Sequence, residues 1–512
     1  MPDWTYHPLR GLAAAVLGRR RSQRTALRLL ASIGSRPAGA RLIASGFGHR
    51  HPPEQLAGEI AGVPVTVRLG ISVPPSLARE AVRAMPPLGA GVVEVAPVSA
   101  ADAETIREAA ADRAIPLLVR ACDPDAETAL RPHVDGFTSS DDPHVVHVSD
   151  PSVTAAAAAL KAPGAIVLAR PGVLVEAGPG WFARVTEAAT PTTPAPALGD
   201  VGRNPRRWPA WCWALLVGLG MTGAGLGAAA ITLGPVLLWY DRDYLGMTLP
   251  ELHAANHHLV HFLQHDRITM AGTMVAIGAL YTGLAVGGIR RGWLWAREVY
   301  LLSGAIAFPT FFYFLATGFV EPLHTATTIV LFPMFVAAVR RTPHAPQWRL
   351  APEGPEPERR RALVGQLLLI VTGAGLLVGG AVISLVGLTG VFVPTDLAFL
   401  GTSPQVLETV NPRLVPFVAH DRAGFGGALM AAAVVIILLS AWGWRRGEAW
   451  VFWTLAVAAA AGFLPTVVVH GAIHYTDFIH LSPVYFGIAT TATGLLLAHP
   501  YLCAKASARP KD

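Results

Sequence analysis

The second half of the chain carries one set of polar residues twice, at a constant offset of 155 positions. Asn256, His265-Asp266-Arg267 and Arg290-Arg291-Gly292 return as Asn411, His420-Asp421-Arg422 and Arg445-Arg446-Gly447. Asp241 and Leu245-Gly246 return as Asp396 and Leu400-Gly401, and Glu321-x-x-His324 returns one residue late as Asp477-x-x-His480. Apolar segments resemble one another by composition alone, but polar residues at a fixed offset indicate duplication of one structural unit. The shared polar residues are where we expect chemistry.

The composition places the chain in a membrane. Of its 512 residues 52% are hydrophobic and 14% are charged, which is too apolar for a soluble chain of this length. Residues 1 to about 200 carry charges at normal density, whereas apolar runs of at least 18 residues follow Trp208. The net charge of +6 suits contact with lipid headgroups, and we expect no nucleic-acid partner.

The three cysteines, Cys122, Cys212 and Cys503, are too scattered for a disulfide framework, a redox pair or a covalent haem site. The N-terminus is basic but lacks a continuous apolar segment that ends in a cleavage site, so no cleavable signal peptide is expected. The first region is therefore expected on the cytoplasmic side.

Eight apolar segments are each long enough to cross about 30 Å of hydrocarbon. They cover residues 210–238, 268–289, 298–318, 324–340, 362–392, 423–444, 449–470 and 480–499. The basic segments fall on one side of eight crossings: 203–207, 290–297, 340–361, 445–446 and the tail with Lys505, Arg509 and Lys511. Because basic loops face the cytoplasm, both termini are expected there, in a multi-pass protein of the cell membrane. An even number of helices per unit predicts an all-α bundle of two parallel four-helix repeats.

Ten of the 18 histidines lie in the loops of the opposite side or at the adjoining helix ends. They are His253, His257, His258, His261, His265, His324, His420, His470, His474 and His480. A spacing of four stacks side chains on one helix face, which gives five candidate metal ligands: His253, His257, His261, His470 and His474. The alternative is an amphipathic outer segment whose polar histidines lie at the level of the lipid headgroups.

The histidines that occur in both copies are the stronger candidates for a cofactor site. The expected pairs are His265 with His324 and His420 with His480. Four acids accompany them as members of a ligand shell or proton relay: Asp266, Glu321, Asp421 and Asp477. Asp266 with Arg267, and Asp421 with Arg422, are expected to form ion pairs at helix ends. The pattern leaves open a haem b, a metal ion or proton exchange with a quinone.

The first 190 residues alternate between strands and helices. Apolar β-branched runs predict strands at 63–69, 91–98, 115–121, 145–149 and 165–169, and helical patterns cover 76–86, 101–113 and 153–161. This alternation predicts an α/β fold with a parallel sheet. Residues 8–46 predict two basic amphipathic helices that can lie on a membrane surface.

Five short segments of this region stand in an order that a known family shares: Ala26–Leu30, Gly89–Val98, Ile115–Arg120, Val134–Phe137 and Glu176–Phe182. In that order, residues 5–190 resemble the membrane-associated dihydroorotate dehydrogenases, which are FMN-dependent (β/α)8 barrels with a membrane-contacting helical arm. The resemblance implies an incomplete, TIM-barrel-like head and FMN as its cofactor.

The head departs from this family at its reaction centre. A full barrel needs about 250 residues, and this region has fewer than 200. Arg120 stands where the family has a flavin-contacting lysine, and Val173-Leu174-Val175 replaces the turn that holds the flavin phosphate. The sequence shows no counterpart of the asparagine-rich substrate segment or of the catalytic serine or cysteine loop. Descent from such a dehydrogenase would mean a shortened head without its catalytic residues.

Three functions fit these observations, and whether the protein is an enzyme stays open. The first is a membrane oxidoreductase, with a dehydrogenase-like head on a bundle that handles haem or quinone electrons. The alternatives are a non-catalytic scaffold with a degenerate head and an ion or solute transporter. The expected partners are the lipid bilayer, a quinone and other membrane subunits. The expected division is an amphipathic arm (1–50), an α/β domain (51–188), a Pro-rich linker (189–209), a first membrane repeat (210–341), a cytoplasmic linker (342–361) and a second membrane repeat (362–503).

Overall fold

The chain folds into an N-terminal α/β head and a helical bundle. The computed structural model describes residues 3–46, 53–60, 62–190, 195–341 and 353–504. The end of the expected arm, part of the Pro-rich linker, most of the linker at 342–361 and the basic tail lie outside the described residues.

Three helices, rather than the two expected, form the N-terminal arm: α1 (Asp3–Leu17), α2 (Arg19–Gly34) and α3 (Pro37–Gly46). Gly18 separates the first two, because its φ of +79° ends a right-handed helix. Leu27 and Leu30 of α2 pack on the core of the head, so this stripe does not face a membrane as expected. Leu12 and Val16 of α1 are 67% and 74% exposed, which leaves that helix an open apolar face.

The strand predicted over residues 63–69 is divided in the structure. Its first part, β2 (Val63–Val65), pairs antiparallel with β1 (Gly58–Ile60) in a hairpin, and the sheet strand begins only at Leu69. Gly62 has a φ of +80°, which a tight hairpin turn requires. The hairpin therefore takes up half of the apolar run.

A six-stranded parallel sheet forms the centre of the head. Its strands are β3 (Leu69–Val73), β4 (Val92–Val98), β5 (Leu117–Ala121), β6 (Gly136–Phe137), β7 (Val145–Val148) and β8 (Ile166–Ala169). The spatial order is β6-β5-β4-β3-β8-β7, so β8 lies beside β3, and the consecutive strands β6 and β7 form the two open edges. This is the order of a half-barrel, and it agrees with the predicted α/β class.

Helices cover the outer face of this sheet. They are α4 (Ala78–Ala84), α5 (Ala103–Ala111), α6 (Pro124–Leu130), α7 (Val153–Ala159), α8 (Pro171–Ala177) and α9 (Trp181–Ala189). Val93 and Val95 of β4 point into the core beneath them. Val92 and Leu118 belong to a second, smaller core that includes the hairpin, so the hairpin covers part of the inner face.

The second region is helical throughout. Its helices are α10 (Ala210–Leu233), α11 (Trp239–Leu245), α12 (Leu249–Ala255), α13 (His257–Gly283), α14 (Leu294–Ala307), α15 (Phe314–Thr317), α16 (Pro322–Arg340), α17 (Glu356–Leu388), α18 (Pro394–Leu400), α19 (Pro404–Val410), α20 (Leu414–Gly443), α21 (Ala449–Ala472) and α22 (Phe478–Leu502). Eight spans among the described residues are long and apolar enough to cross a membrane: α10, α13 continuing to Arg291, α14 continuing through α15, α16, α17, α20, α21 and α22. The protein is therefore a multi-pass membrane protein.

Two of these helices begin earlier than their apolar segments predict. α13 begins at His257 rather than near 268, and α20 begins at Leu414 rather than near 423. His265-Asp266-Arg267 and His420-Asp421-Arg422 consequently lie inside helices and not in loops. Charged residues are tolerated there because partners from other helices compensate them.

One helix of the first half is interrupted where its counterpart is continuous. α14 ends at Ala307 and passes through a 3₁₀ segment, Phe308–Tyr313, into the short α15. α21 runs without a break to Ala472, although it contains Pro465. The first half of the bundle comprises residues 210–341, and the interruption leaves space inside it.

Buried ion pairs join the head to the bundle. Arg359 of α17 pairs with the fully buried Asp3 and donates to the carbonyl oxygen of Ala177 at 3.1 Å. Arg445 at the end of α20 donates to both carboxylate oxygens of Glu187, at 2.7 and 2.9 Å. Separation of a buried ion pair leaves uncompensated buried charges, which is strongly unfavourable, so these pairs fix the head against the bundle.

Candidate functional site

Two arginine–aspartate pairs cross between the halves of the bundle. Nε of Arg267 on α13 donates to Oδ2 of Asp421 on α20 at 2.7 Å, and Nε of Arg422 donates to Oδ2 of Asp266 at 3.1 Å. All four side chains are buried. The structure shows no Asp266–Arg267 or Asp421–Arg422 pair, because adjacent residues of a helix do not face each other. Each arginine reaches the opposite helix instead.

Each arginine also binds the loop that follows the first long helix of its own half, α10 or α17. Nη1 of Arg267 donates to the carbonyl of Val236, and Nη1 of Arg422 donates to the carbonyl of Val391, both at 2.7 Å. The two valines have φ angles of 59° and 62°, which β-branched residues rarely adopt. The polar core therefore fixes two strained loops as well as two helices.

A second aspartate joins each arginine. Oδ2 of Asp241 lies 3.5 Å from Nη1 of Arg267, and Oδ2 of Asp396 accepts from Nη1 of Arg422 at 2.5 Å. Four carboxyl groups thus surround two guanidinium groups. Burial raises the pKa of Asp241, so this network can hold protons as well as position helices.

Three histidines, here called the histidine triad, meet beside this network: His265 of α13, His470 of α21 and His480 of α22. One ring nitrogen from each lies within 4.8 Å of the other two, and the Nε2 atoms of His470 and His480 are 3.2 Å apart. Nitrogens that bind one tetrahedral ion at 2.0–2.1 Å are about 3.4 Å apart. The closest pair of the triad thus has the spacing of two ligands of one ion, and three protein ligands would leave a fourth position open.

The second ring nitrogens of the triad are occupied by hydrogen bonds. Nδ1 of His265 lies 3.2 Å from the carbonyl oxygen of Phe262, and Nδ1 of His470 lies 2.7 Å from that of Thr466. A carbonyl accepts, so each Nδ1 carries the proton and each Nε2 has a lone pair directed at the triad. Metal-binding histidines are held in this way.

Tyr475 links the triad to the acid network. Its hydroxyl donates to Oδ1 of Asp396 at 2.8 Å and lies 3.2 Å from Nδ1 of His480. Its ring stacks on that of His480, with centroids 4.4 Å apart. Burial raises the pKa of Tyr475, so the phenol stays protonated at neutral pH. Tyr475 therefore fixes the orientation of the third histidine.

The geometry of the triad favours a single ion over haem b. The ring of His265 packs edge to face on that of His470, with centroids 4.5 Å apart, and the centroids of His470 and His480 are 5.3 Å apart. Two axial ligands of a haem lie on opposite faces of a flat macrocycle. Rings in mutual contact leave no room for it between them.

The histidine pairs form between the halves, not within them. His265 contacts His480 with ring centroids 5.9 Å apart, and His420 contacts His324 with centroids 6.0 Å apart. The expected pairing of His265 with His324 is therefore wrong. The reason is that α13 and α20 each turn their polar segment toward the other half, as the crossed ion pairs show.

Glu321 and Asp477 cap helices rather than orient imidazoles. A carboxylate oxygen of Glu321 accepts from the backbone N–H of His324, and Oδ1 of Asp477 accepts from that of His480 at 2.8 Å. An acid at this position satisfies a free N–H group of the first helical turn. Glu321 also accepts from the hydroxyl of Tyr240.

The predicted stripe of outer histidines crosses a break between two helices, but its rings remain in contact: the centroids of His253 and His257 are 4.3 Å apart, and those of His257 and His261 are 4.7 Å apart. His253 lies on α12, whereas His257 and His261 lie on α13, and Asn256 caps the second helix between them. Nδ1 of His257 is 2.7 Å from Nε2 of His253. Among the described residues, however, the triad is the group of three that brings its ligand atoms within 4.8 Å of one another.

His470 and His474 do not form the expected pair. α21 ends at Ala472, and His474 follows in the left-handed conformation with a φ of 60°. His470 is buried in the triad, whereas His474 is exposed. The end of the helix thus separates two residues whose spacing predicted one face.

A cavity of about 330 Å³ lies against the first half of the crossed network. The apolar wall includes Met221, Met270, Met274, Ile277, Phe308 and Leu331. The polar end consists of Tyr240, Asp241, Arg267, Glu321, His324, His420 and Asp421. A mostly apolar lining with convergent polar groups is typical of a small-molecule site.

In the head, the inner face of the half-barrel carries a buried carboxylate. Oε1 of Glu94 accepts from the hydroxyl of Thr138 at 2.6 Å, and Oε2 lies 2.8 Å from Nε2 of His147. Burial alone would raise the pKa of Glu94, but hydrogen bonds from His147, Ser72 and Thr138 lower it to about 2. This cluster satisfies its own polar groups.

Four members of the polar site were not among the candidate site residues. Asp241 and Asp396 recur at the common offset as shared polar residues, but they were not assigned to the ligand shell. Tyr240 and Tyr475 each occur in one copy, and no sequence pattern marks them.

No family model, curated protein or solved structure matches this chain.

Proposed function

We propose that the bundle is a membrane oxidoreductase with a non-haem metal ion bound by His265, His470 and His480. The observation that carries this proposal is the convergence of three imidazole nitrogens within 4.8 Å. Imidazole suits copper, iron and zinc, and copper and iron supply one-electron chemistry. The fourth position would remain open for a small ligand or water.

The surroundings of the triad support a redox role. Tyr475 connects His480 to the Asp396–Arg422 pair, so a change in charge at the metal acts on a protonatable network. Coupling of a metal to hydrogen-bonded acids is one way in which proteins set a reduction potential. We assign Tyr475 and Asp396 as positioning residues of the centre.

Metal analysis of the protein purified in mild detergent tests this proposal. We expect about one copper or iron ion per chain, and its loss in His470→Ala and His480→Ala, because two ligands hold a metal far more weakly than three. His474→Ala is the matched control, since His474 is exposed four residues from His470. The absorption spectrum should change when dithionite is added. A protein that retains no metal after loading, or that binds zinc alone, would contradict a redox centre.

For the head, we propose a docking role rather than flavin chemistry. The segment Val173–Val175, which replaces the family's phosphate-binding turn, lies within α8. The carbonyl of Val175 accepts from Tyr6 at 2.8 Å and from Arg10 at 2.9 Å, so α1 covers this segment. The joint at Asp3 and Arg359 continues the same contact into the bundle. These contacts favour a degenerate head that serves as a scaffold.

Flavin released by heating tests this second proposal. We expect no stoichiometric flavin fluorescence from the purified protein, and no increase in thermal stability with added FMN. A ligand that bound the folded head at 100 times its Kd would stabilise it by about 2.7 kcal/mol. Bound FMN would restore the dehydrogenase hypothesis for the head.

We infer further that residues 210–341 and 362–503 descend from one duplicated unit. In support, Nδ2 of Asn256 donates to the carbonyl of Leu400 at 3.0 Å, and Nδ2 of Asn411 donates to the carbonyl of Leu245 at 2.7 Å. Exchange of the two halves converts one contact into the other, because Asn411 lies 155 positions after Asn256 and Leu245 lies 155 positions before Leu400. Electron spin resonance of spin-labelled protein tests this arrangement. A distance measured between two labelled positions should equal the distance measured after each label is moved to the equivalent position of the other half.

We also propose that the head faces the cytoplasm. Arg206, Arg341, Arg359 and Arg445 lie at the end of the bundle that carries the head, as the contacts of Arg359 and Arg445 with it indicate. Basic residues at one end of a bundle favour the cytoplasmic side. A fluorescent protein fused to either terminus should fluoresce, whereas a periplasmic reporter fused there should be inactive.

A further inference from the structure

Two aromatic residues occupy equivalent places in the two halves of the bundle. Phe319 packs on Tyr244 with centroids 4.5 Å apart, and Tyr475 packs on Phe399 with the same separation. Tyr475 follows Phe319 by 156 positions, the same offset that relates the two capping acids. The two rings therefore differ chiefly by one hydroxyl group.

That hydroxyl satisfies an aspartate in the second half. The hydroxyl of Tyr475 donates to Oδ1 of Asp396 at 2.8 Å. In the first half Phe319 offers no donor, and among the described residues Oδ1 of Asp241 has no hydrogen-bond partner. Asp241 is 2% exposed and lines the cavity. Because an unpaired buried oxygen is costly, the cavity is suited to a molecule that donates a hydrogen bond at this point.

The charges at the polar end restrict what this molecule can be. Of the cavity-lining residues there, Asp241, Asp421 and Glu321 are acidic, and Arg267 is already bonded to Asp421. An anionic head group would meet like charges, so a neutral donor is favoured. Most of the remaining lining is apolar, and methionine side chains adapt to an irregular apolar body. Three of them form its wall: Met221, Met270 and Met274.

We propose that the cavity binds a membrane-soluble phenol of the quinol class, with its hydroxyl donating to Oδ1 of Asp241 and its apolar part along the methionine wall. The Tyr475–Asp396 contact displays, within the same molecule, the phenol–carboxylate geometry that the ligand would adopt. The inference rests on the proposed function only in making this cavity the substrate site of the proposed oxidoreductase. Binding itself requires no metal.

Comparison of three probes on the unmodified protein tests the role of the hydroxyl. The probes are a decyl benzoquinol, its dimethyl ether and the oxidised quinone, titrated without oxygen at about pH 8, where carboxylates ionise even when burial raises their pKa by a few units. We expect the quinol to bind about tenfold more tightly than the ether, because the ether leaves Asp241 without a donor. Equal affinities for quinol and ether would overturn the proposal and show that the cavity holds only an apolar chain.

A variant that supplies the missing hydroxyl tests the same contact from the protein side. In Phe319→Tyr the new phenol should donate to Asp241, as Tyr475 does to Asp396, and quinol affinity should fall about tenfold. Tyr475→Phe is the matched control, because it removes a hydroxyl from the other half and should leave quinol binding unchanged. Unaltered quinol binding by a folded Phe319→Tyr protein would contradict the proposal.

Quinol binding to His480→Ala separates the two proposals. That variant removes a triad ligand and leaves the cavity intact. We expect it to bind quinol with the affinity of the unmodified protein, whether or not the triad holds a metal. Metal binding without the quinol preference would leave the oxidoreductase proposal standing and remove only the cavity ligand.

Discussion

The crossed pair of Arg267 and Asp421 makes a quantitative prediction about the bundle. At the observed distance of 2.7 Å and an effective dielectric constant near 20, the Coulomb attraction is about 6 kcal/mol. Removal of both ions from water offsets several kcal/mol for each of them. Loss of one partner leaves the other charge buried and unpaired, so Arg267→Gln or Asp421→Asn should each destabilise by about 3–5 kcal/mol. The double variant should lose less than the sum, with a coupling energy of about 1–3 kcal/mol.

Unfolding with sodium dodecyl sulfate in mixed micelles, followed by tryptophan fluorescence, measures this cycle. The exposed pair of Arg360 and Glu356, 2.9 Å apart on α17, is the control, and its coupling should not exceed about 1 kcal/mol. The equivalent cycle for Arg422 and Asp266 should resemble that for the first pair, since the geometry repeats. Coupling below about 0.5 kcal/mol in both buried cycles would refute the view that these pairs hold the halves together.

Three further predictions concern packing, the joint and pH. A Cβ on Gly365 would lie 2.4 Å from the carbonyl oxygen of Gly494, so Gly365→Leu should push α17 away from α22 and destabilise the protein by about 1–3 kcal/mol. Gly375→Leu is the control, because a Cβ there meets open space. The same detergent unfolding measures both variants. Arg359→Leu removes the nearest charged partner of the buried Asp3 and leaves it Arg184 at 3.8 Å, so it should speed amide hydrogen exchange in α1, and an unchanged exchange rate would argue against the joint. Burial, with the nearby Arg359, lowers the pKa of His7 to about 4. Below about pH 6.5 the imidazole therefore binds a proton in the unfolded chain but not in the folded one, so the free energy of unfolding should fall by up to about 3 kcal/mol between pH 6.5 and 4. His7→Gln should remove this pH dependence.

The class of each region was predictable from hydrophobic pattern. Apolar runs long enough to span a bilayer and alternating β-branched segments are local properties, so eight spans and a parallel sheet followed from them. The division of residues 63–69 was not predictable in the same way, because the hairpin depends on the conformation of Gly62. The early start of α13 depended on partners that lie far away in sequence.

The candidate site was predictable in its members more than in its contacts. Recurrence in the two copies identified His265 and His480, and the structure brings both into the triad. The spacing did not predict which half of the bundle each histidine would face. A helical pattern shows which residues share one face of a helix, but not which neighbouring helix packs on that face. Tyr475 corresponds to an apolar residue, Phe319, in the other copy, so recurrence of polar residues does not mark it, and its role appears only through its hydrogen bond with Asp396.

The exchange of partners across the bundle has a consequence for how such a protein arises. Contacts in which residue i of one half meets residue j of the other, and j meets i, are those of an isologous homodimer. On the duplication inferred above, the ancestor was a four-helix subunit that buried its charges only by dimerising. Fusion of two genes removed the requirement that both subunits be identical. One descendant half could then lose a hydroxyl at Phe319 while the other half gathered the additional histidine and tyrosine of a metal centre, a division of labour that a homodimer cannot reach.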